Sequence, residues 1–408
     1  MAAEIDPDEN LTVIHAGQLL SMPGQPPKAK QSIFVVDGVI TAIEDGFSKR
    51  GTRIDLSDQY VMPGLIDMHT HVTGVLNLSE PASKQIGYKI IGRPAEAVLD
   101  TLPRVRDLLM GGFTTIRSVG DPTSTTYALR DAVEGGQLPS PRMFVCESQI
   151  CVDGGDFDAC CWCVRHDLEH HVENRGNYSG AEEARRVVRK EINRGADFIK
   201  FRQAGAPAGN PNIKMVETVE EIRAVIDTAH QLDRRVAVHV NGTPTFLHEA
   251  IKAGVDTVEH GPLDDEAIAL MKQHGTAYTP TLLAAKMVDY RYQDAVEGMV
   301  KAYRAGVRVV FGSDLGIFGP DQLHEEFALM TDAGIPPEEV LKAATFNAAA
   351  ALGRIGANLG SIQPGKSADI VAISGDPHTN LGRLGIPGEI NFVMKSGKIF
   401  KHKGWAAD

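Results

Sequence analysis

The sequence predicts an α/β protein: a (β/α)8 TIM barrel with a small β-sandwich built from both chain ends. Three observations carry this. From about residue 60 one phrase recurs: a helix-like run, a glycine, then a short apolar strand. Eight such strands can be counted, and eight strand–helix units close naturally into a barrel. On either side, residues 11–58 and roughly 359–403 hold short strand-like pieces instead.

Gly112 precedes Phe113–Val119, Gly195 precedes Ala196–Phe201, Gly254 precedes Val255–Glu259, Gly275 precedes Thr276–Thr281, and Gly306 precedes Val307–Gly312. Glycine tolerates the left-handed conformation that ends many helices, so each marks a helix C-terminus. Helix starts are visible too: Ser179 with Glu182, and Thr218 with Glu221, fit the S/T-x-x-E capping box. Strands are predicted at 61–68, 113–119, 142–149, 196–201, 235–240, 255–260, 276–282 and 307–313. They read as continuous apolar runs, such as Val236-Ala237-Val238, which suits parallel strands covered on both faces. No G-x-G-x-x-G turn follows the first strand, which argues against an open dinucleotide-binding sheet.

In the flanks the strand-like pieces are Ser32–Val36, Val39–Ile43, Asp369–Ile373 and Phe392–Met394, with the turn pairs Asp37-Gly38 and Ser396-Gly397 between them. The expected division is a discontinuous β-sandwich domain, 1–60 with 359–408, around a catalytic barrel, 61–358. Pro337–Leu352 is predicted helical, with an Ala-rich run at 343–351.

Composition narrows the function. The chain has 408 residues, 43% hydrophobic and 23% charged, the profile of a globular protein. A formal net charge of -12 argues against nucleic acid and against an anionic membrane surface, which need clustered Lys and Arg. No stretch approaches the ~20 apolar residues of a membrane span. Met1 to Asn10 is acidic and lacks the order of a secretory signal, so a cytoplasmic location is expected. Of five cysteines, Cys151, Cys160, Cys161 and Cys163 crowd one segment. Adjacent Cys160 and Cys161 do not match the usual C-x2-C spacing, so reduced thiols in a loop are expected, with a zinc site the alternative. His166, His170 and His171 nearby read as a solvated polar segment. The sequence leaves subunit number open, a homo-oligomer included.

Candidate metal ligands fall at the C-terminal ends of the strands, where barrel enzymes place their chemistry. The first strand ends in Asp67-Met68-His69-Thr70-His71. Residues two apart on a strand point the same way, so both imidazoles can meet one ion. Taken alone, H-x-H is a weak signal. His239 ends the run Val236–Val238, His260 ends Val255–Glu259, and Asp314 follows Val309-Val310-Phe311-Gly312-Ser313. Each alone is explained by an ordinary hydrogen bond or a helix cap; together, at one end of four strands, they are hard to assign to packing. Lys200, in Ala196-Asp197-Phe198-Ile199-Lys200-Phe201, is the most informative. A buried ammonium is unfavourable unless paired or modified. Carbamylated by CO2, the amine becomes an anion with two oxygens able to bridge a metal pair; the alternative is an ion pair with Asp197 or Glu259.

At this point the chain resembles the amidohydrolase superfamily. Pro63-Gly64-Leu65-Ile66-Asp67-Met68-His69-Thr70-His71 is similar to the family's opening P-G-x-I-D-x-H-x-H. Val258-Glu259-His260-Gly261 and Gly312-Ser313-Asp314 resemble its later ligand strands. Gly360-Ser361-Ile362-Gln363-Pro364-Gly365-Lys366-Ser367-Ala368-Asp369-Ile370 resembles its return into the β-sandwich, and Ala343–Asn347 the helix before it. The resemblance implies two divalent ions, zinc first among them, with manganese and cobalt open. His69 and His71 would hold the more buried ion, His239 and His260 the more exposed one. Carbamylated Lys200 would bridge them, and Asp314 would ligate the buried ion. It further implies attack by a metal-bridging hydroxide, with Asp314 passing the proton to the leaving group. Lys200 points to the two-metal branch and away from the single-metal deaminases and imidazolonepropionase. Within that branch the chain resembles the prolidase, Xaa-Arg/Lys carboxypeptidase and ochratoxin-hydrolase group.

Substrate contacts are expected from loops after the strands: Arg117, Gln149, Asp153, Arg202 with Gln203, Asn241 and Thr281. The peptidase-like relatives carry Gly-Gly-His after strand three, where this chain has Cys151-Val152-Asp153-Gly154-Gly155-Asp156. That departure puts a carried-over peptidase specificity in doubt. The expected function is hydrolysis of an amide bond in a small dipeptide-like or N-acyl amino acid substrate. Hydrolysis of a carbamate, urea, lactone or phosphoester, or a catalytically inactive binding protein, are the alternatives.

Overall fold

The chain opens with β1 (Leu11–Leu19), β2 (Lys28–Val36), β3 (Val39–Asp45) and β4 (Thr52–Pro63). The protein is seen here in a computed structural model, which describes residues 10–73, 93–121, 125–155, 167, 175–205, 215–240, 243–289, 291–402 and 405–407. Among the described residues nine parallel-paired strands follow: β5 (Leu65–Thr70), β6 (Phe113–Val119), β7 (Arg142–Cys146), β8 (Gln149–Val152), β9 (Asn177–Tyr178), β10 (Ile199–Arg202), β11 (Val236–His239), β12 (Thr257–Glu259) and β13 (Ala277–Thr279). The last four are β14 (Ile370–Ile373), β15 (Ile390–Lys395), β16 (Lys398–His402) and β17 (Trp405–Ala406).

Both chain ends share one eight-stranded sheet, ordered β17-β16-β15-β14-β4-β1-β2-β3. β4 joins its halves, pairing parallel with β1 and antiparallel with β14. Both expected turn pairs form: Asp37 and Gly38 have φ of 49° and 77°, Ser396 and Gly397 of 50° and 77°. Positive φ at both central positions matches the right-handed twist of a tight hairpin. The two hairpin tips meet, since a Cβ on Gly38 would lie 2.5 Å from the Ser396 carbonyl oxygen. The sheet therefore bends, and one apolar cluster draws Ile14, Ile33 and Ile54 from one end and Ile370, Phe392 and Met394 from the other.

Between the two ends lie a three-stranded ladder, β5-β6-β7, and a six-stranded one, β13-β12-β11-β10-β8-β9. They are linked on one side by the Asp197 amide donating to the Val145 carbonyl at 2.9 Å. On the other side residues 308–314 bridge them. Val310 N donates to Tyr278 O (2.9 Å), Met68 N to Phe311 O (3.0 Å) and Asp314 N to His69 O (2.8 Å). Hydrogen bonding thus runs from the last strand back to the first. The helices between strands end as expected; Gly275 and Gly306, for example, close theirs with φ of 75° and 84°.

Several elements depart from the sequence reading. The strand expected at 142–149 splits, because the Glu147 and Ser148 amides turn to the buried Glu191 carboxylate at 3.1 and 2.9 Å. The strand expected at 307–313 reduces to single bridges, Tyr278 with Val309 and Thr70 with Leu315. The helix expected over Pro337–Leu352 is interrupted by a wide π-type turn at Ala343–Asn347. The Thr218–Glu221 capping box forms, but the Ser179–Glu182 box does not, as helix Ala181–Asn193 starts after Gly180.

The strands are also not apolar on both faces. In register lie Lys200, Ala237, Thr257 and Ala277, and two residues on, Arg202, His239, Glu259 and Thr279. Side chains alternate along a strand and match across it, so these share one face. Phe201, Val238, Val258 and Tyr278 take the other, in a core with Phe246 and Ile222 from the helices.

Arg142 of β7 ties this region to the terminal sheet. Its guanidinium donates to Asp369 Oδ2 at 2.6 Å and to Ser396 Oγ at 2.7 Å. Burial alone would raise the Asp369 carboxyl, but Arg142 and the Ser396 amide and Ser367 hydroxyl hold it below the usual carboxylate range. A depressed carboxyl contributes stability above its unfolded value and loses it as pH falls through the folded one. Asp369→Asn is therefore expected to cost about 3 kcal/mol at neutral pH, the low end for breaking a buried pair. Urea denaturation at a series of pH values should show that gap from wild type closing as the medium is acidified.

Candidate metal centre

The end of β5 is held by its own aspartate. Asp67 Oδ1 accepts the amides of His69 (3.0 Å) and Ser313 (3.1 Å), and Oδ2 accepts the Ser313 hydroxyl (2.6 Å). This clasp sets the His69-x-His71 strand beside the segment that carries Asp314. The approach leaves no room for a side chain at Gly312, where a Cβ would lie 2.3 Å from Thr279 Cγ2 and 3.0 Å from His69 Cβ.

Three imidazoles are held by Nδ1. His69 Nδ1 donates to Glu259 Oε2 at 2.8 Å, and His71 Nδ1 to the Gly120 carbonyl at 2.7 Å. His260 Nδ1 meets Thr281 Oγ1 at 2.5 Å. A carboxylate and a carbonyl can only accept, so the proton sits on Nδ1 in His69 and His71, and Nε2 offers its lone pair. Those Nε2 atoms converge on Asp314, at 3.4 Å from Oδ1 for His69 and His71 and 3.9 Å from Oδ2 for His260. Ligand atoms of His69, His260 and Asp314 lie within 4.8 Å of one another, close enough to hold an ion. The His239 ring adjoins, with its centroid 4.8 Å from that of His260.

Lys200 enters from β10, almost wholly buried, and its Nζ has no hydrogen-bond partner among the described residues. Burial pushes its amine down to about 8, with Glu259 and Asp314 opposing. Burial, reinforced by Lys200, keeps His69 well below the ordinary imidazole value. Burial also takes His260 down to about 4, against the pull of Asp314. In His71 the Asp314 hydrogen bond and charge overcome burial and raise it. Burial would lift the Asp314 carboxyl, but His69, His260 and His71 hold it far below the carboxylate range. A lowered His69 and His260 beside an ionised Asp314 match the deprotonated state a cation requires of its ligands. His260 and Asp314 both have φ of 61°, and Thr281 has 49°. Such left-handed residues other than glycine cluster where the surrounding structure holds strain for function.

A family model described as the amidohydrolase family matches residues 60–400. The chain belongs to that family. It is similar to ochratoxinase of Aspergillus niger, 28% identical over 98% of this chain and 89% of that protein. It is also similar to a Xaa-Pro dipeptidase whose crystal structure has methionine in the active site. That chain is 30% identical, covers 96% of this one and 100% of itself, and has a TM-score of 0.82. A prolidase crystallised with N-methylphosphonate-L-proline is 27% identical over 96% of this chain and 100% of its own, with a TM-score of 0.80. No helix among the described residues of this amidohydrolase is long and apolar enough to cross a membrane.

The expected substrate contacts fare differently. Arg117 is buried and donates to the Met68 carbonyl (2.6 Å), Thr257 Oγ1 (3.1 Å) and Glu259 Oε1 (2.6 Å). It faces a carboxylate that the fold itself supplies. Asp153 is exposed and accepts the Ser179 hydroxyl at 2.7 Å. Gln149 is in register with Lys200, and Arg202 with His239. Thr281 is buried behind His260. Asn241 lies outside the described residues, as do Cys160, Cys161, Cys163 and the three histidines after them; Cys151 is buried on β8. Sequence reasoning missed Glu259 as the support of His69. The signal was available, since Glu259 is an acidic residue inside an apolar strand directly before a candidate ligand.

The Arg117–Glu259 pair makes a prediction that separates support from substrate contact. Glu259→Gln strands a buried guanidinium and is expected to cost about 3–5 kcal/mol of stability. Arg117→Met should cost a comparable amount, and the double variant less than the sum. Guanidinium titrations on the four proteins measure this. Arg117→Met with wild-type stability and a raised KM would return Arg117 to the substrate.

Proposed function

We propose that this protein is a two-metal amidohydrolase that cleaves the amide bond of a small dipeptide-like or N-acyl amino acid substrate. In this reading the ring of parallel strands is a (β/α)8 barrel, residues 61–358. The two chain ends, 1–60 and 359–408, make a β-sandwich domain.

The observation that carries it is the Lys200 amine, buried beside His69, His260, Glu259 and Asp314 with no hydrogen-bond partner among the described residues. An unmodified ammonium there would repel a cation; a carbamate formed with CO2 removes that charge and offers two oxygens. The donor set fits a pair of divalent ions, zinc first among them: His69, His71 and Asp314 for one, His239 and His260 for the other, and carbamylated Lys200 between. Ions bound there supply Lewis acidity, generating an oxygen nucleophile near neutral pH and polarising the scissile carbonyl. The residues do the rest. Glu259, Gly120 and Thr281 orient the rings, and Asp314 moves the proton from the attacking water to the leaving nitrogen. The names of the dipeptidase and prolidase relatives support a dipeptide-like substrate, and the methionine in the dipeptidase's active site supports an amino acid portion.

Two measurements test this. On a panel of dipeptides, N-acyl amino acids, carbamates, ureas, lactones and phosphoesters, turnover is expected on the first two classes. Asp314→Asn is expected to keep the fold and most of the metal while kcat falls on the order of 10²–10⁴-fold, the range of proton-transfer catalysis. Turnover confined to the other classes would overturn the amide reading, turnover of none with metal fully bound would favour a binding protein, and an active Asp314→Asn would remove Asp314 from the chemistry. For Lys200, NMR of zinc-loaded protein equilibrated with isotope-labelled bicarbonate is expected to show a carbamate signal that Lys200→Arg abolishes. An unmodified amine in fully loaded protein would sink the bridging role.

A further inference from the structure

We propose that Glu326 is a positioning residue for His260: it caps helix Leu282–Met287 from a distant part of the chain and so releases the Thr281 hydroxyl to hold the His260 ring. The inference rests on His260 being a metal ligand.

Thr281 stands at the N-cap of that helix, where a threonine ordinarily accepts a hydrogen bond from one of the first helical amides. It makes no such bond. Its hydroxyl is spent on His260 Nδ1 at 2.5 Å instead. The first two helical amides, of Leu282 and Leu283, go instead to the two oxygens of Glu326 at 2.9 and 2.6 Å. Glu326 is fully buried, next in sequence to Phe327, whose ring stacks on Phe311 at 4.3 Å. A carboxyl in such surroundings is unfavourable unless hydrogen-bonded. Here its two oxygens take up the two amides. Thr281 itself, with φ 49° and ψ 53°, lies in the left-handed region. For a β-branched residue that is a strained conformation, which persists when its neighbours determine it. Glu326 fixes the chain just after Thr281, and His260 fixes its side chain.

The chemical consequence is the direction in which one hydroxyl points. With Glu326 in place, Thr281 Oγ1 braces Nδ1, and Nε2 of His260 is aimed at Asp314. Without it, the hydroxyl returns to the helix amides and the ring loses its brace. Glu326 touches neither substrate nor reacting atoms.

The test is the zinc affinity of the full-length protein, measured by chelator competition together with bound-metal stoichiometry. In Glu326→Gln the side-chain NH2 faces an amide donor, so one helix amide loses its acceptor. Zinc affinity at the weaker site is expected to fall about 10–100-fold, the usual effect of losing a residue that orients a ligand. Thr281→Val should fall similarly, Thr281→Ser should stay near wild type, and the Glu326→Gln/Thr281→Val double variant should be no worse than the weaker single. Wild-type zinc affinity in folded Glu326→Gln, or losses that add in the double variant, would overturn the proposal. Should Glu326→Gln not fold, Glu326→Asp, shorter by one methylene, takes its place with a smaller loss expected, and wild-type affinity in it overturns the proposal equally. His260→Asn separates the two ideas. If it leaves zinc binding unchanged, His260 is no ligand; if it weakens binding while the Glu326 variants do not, the positioning role alone is wrong.

Discussion

Charge placed inside a ring of strands must find opposite charge within hydrogen-bond reach, and the Arg117–Glu259 pair is where this protein meets that constraint. Both side chains are buried, 2.6 Å apart. Arg117 leaves β6, takes the Met68 carbonyl of β5 on its way, and ends on Glu259 of β12. One guanidinium thus braces three strands across the interior. Glu259 keeps its other oxygen for His69, so the ring that faces Asp314 is aimed by the same ion pair that neutralises the interior.

Each further orienting contact repeats that logic with a weaker group. Gly120 supplies a carbonyl to His71, and Thr281 a hydroxyl to His260. The Asp67 clasp keeps β5 and the Asp314 segment at a fixed separation, close enough that Gly312 cannot carry a side chain. A ligand ring braced at Nδ1 meets a cation with little left to reorganise, which is how outer contacts raise metal affinity. Lys200 departs from the pattern: its amine is buried among these groups and has no hydrogen-bond partner among the described residues.

Much of this was legible in the sequence. The helix–glycine–strand rhythm located β6, β10, β12 and β13 to within a few residues, because helix ends and strand faces are set by local backbone preferences. The tight turns at Asp37-Gly38 and Ser396-Gly397 were equally local. The gathering of His69, His71, His260 and Asp314 followed from their places at strand ends. Less legible was the interior: Val236-Ala237-Val238 looks apolar throughout, yet alternation turns Ala237 and His239 toward Lys200, Thr257 and Glu259.

By itself, then, the sequence determined which residues stand at the strand ends, how the chain alternates, and which family's motifs it carries. Tertiary structure decided what those residues do for one another. Arg117 could read as a substrate clamp or as one half of an ion pair, and the fold supplies its partner from 142 residues away. His69 gained its brace from a carboxylate 190 residues on, and Thr281 was released from its helix by Glu326. The split at Glu147-Ser148 came from a helix that reaches under it with Glu191. Apart from the acidic Glu259 inside an apolar strand, these pairings leave no local signature, because the energy of burying a charge depends on what the fold brings within 3 Å of it, and periodicity records only which face a side chain occupies.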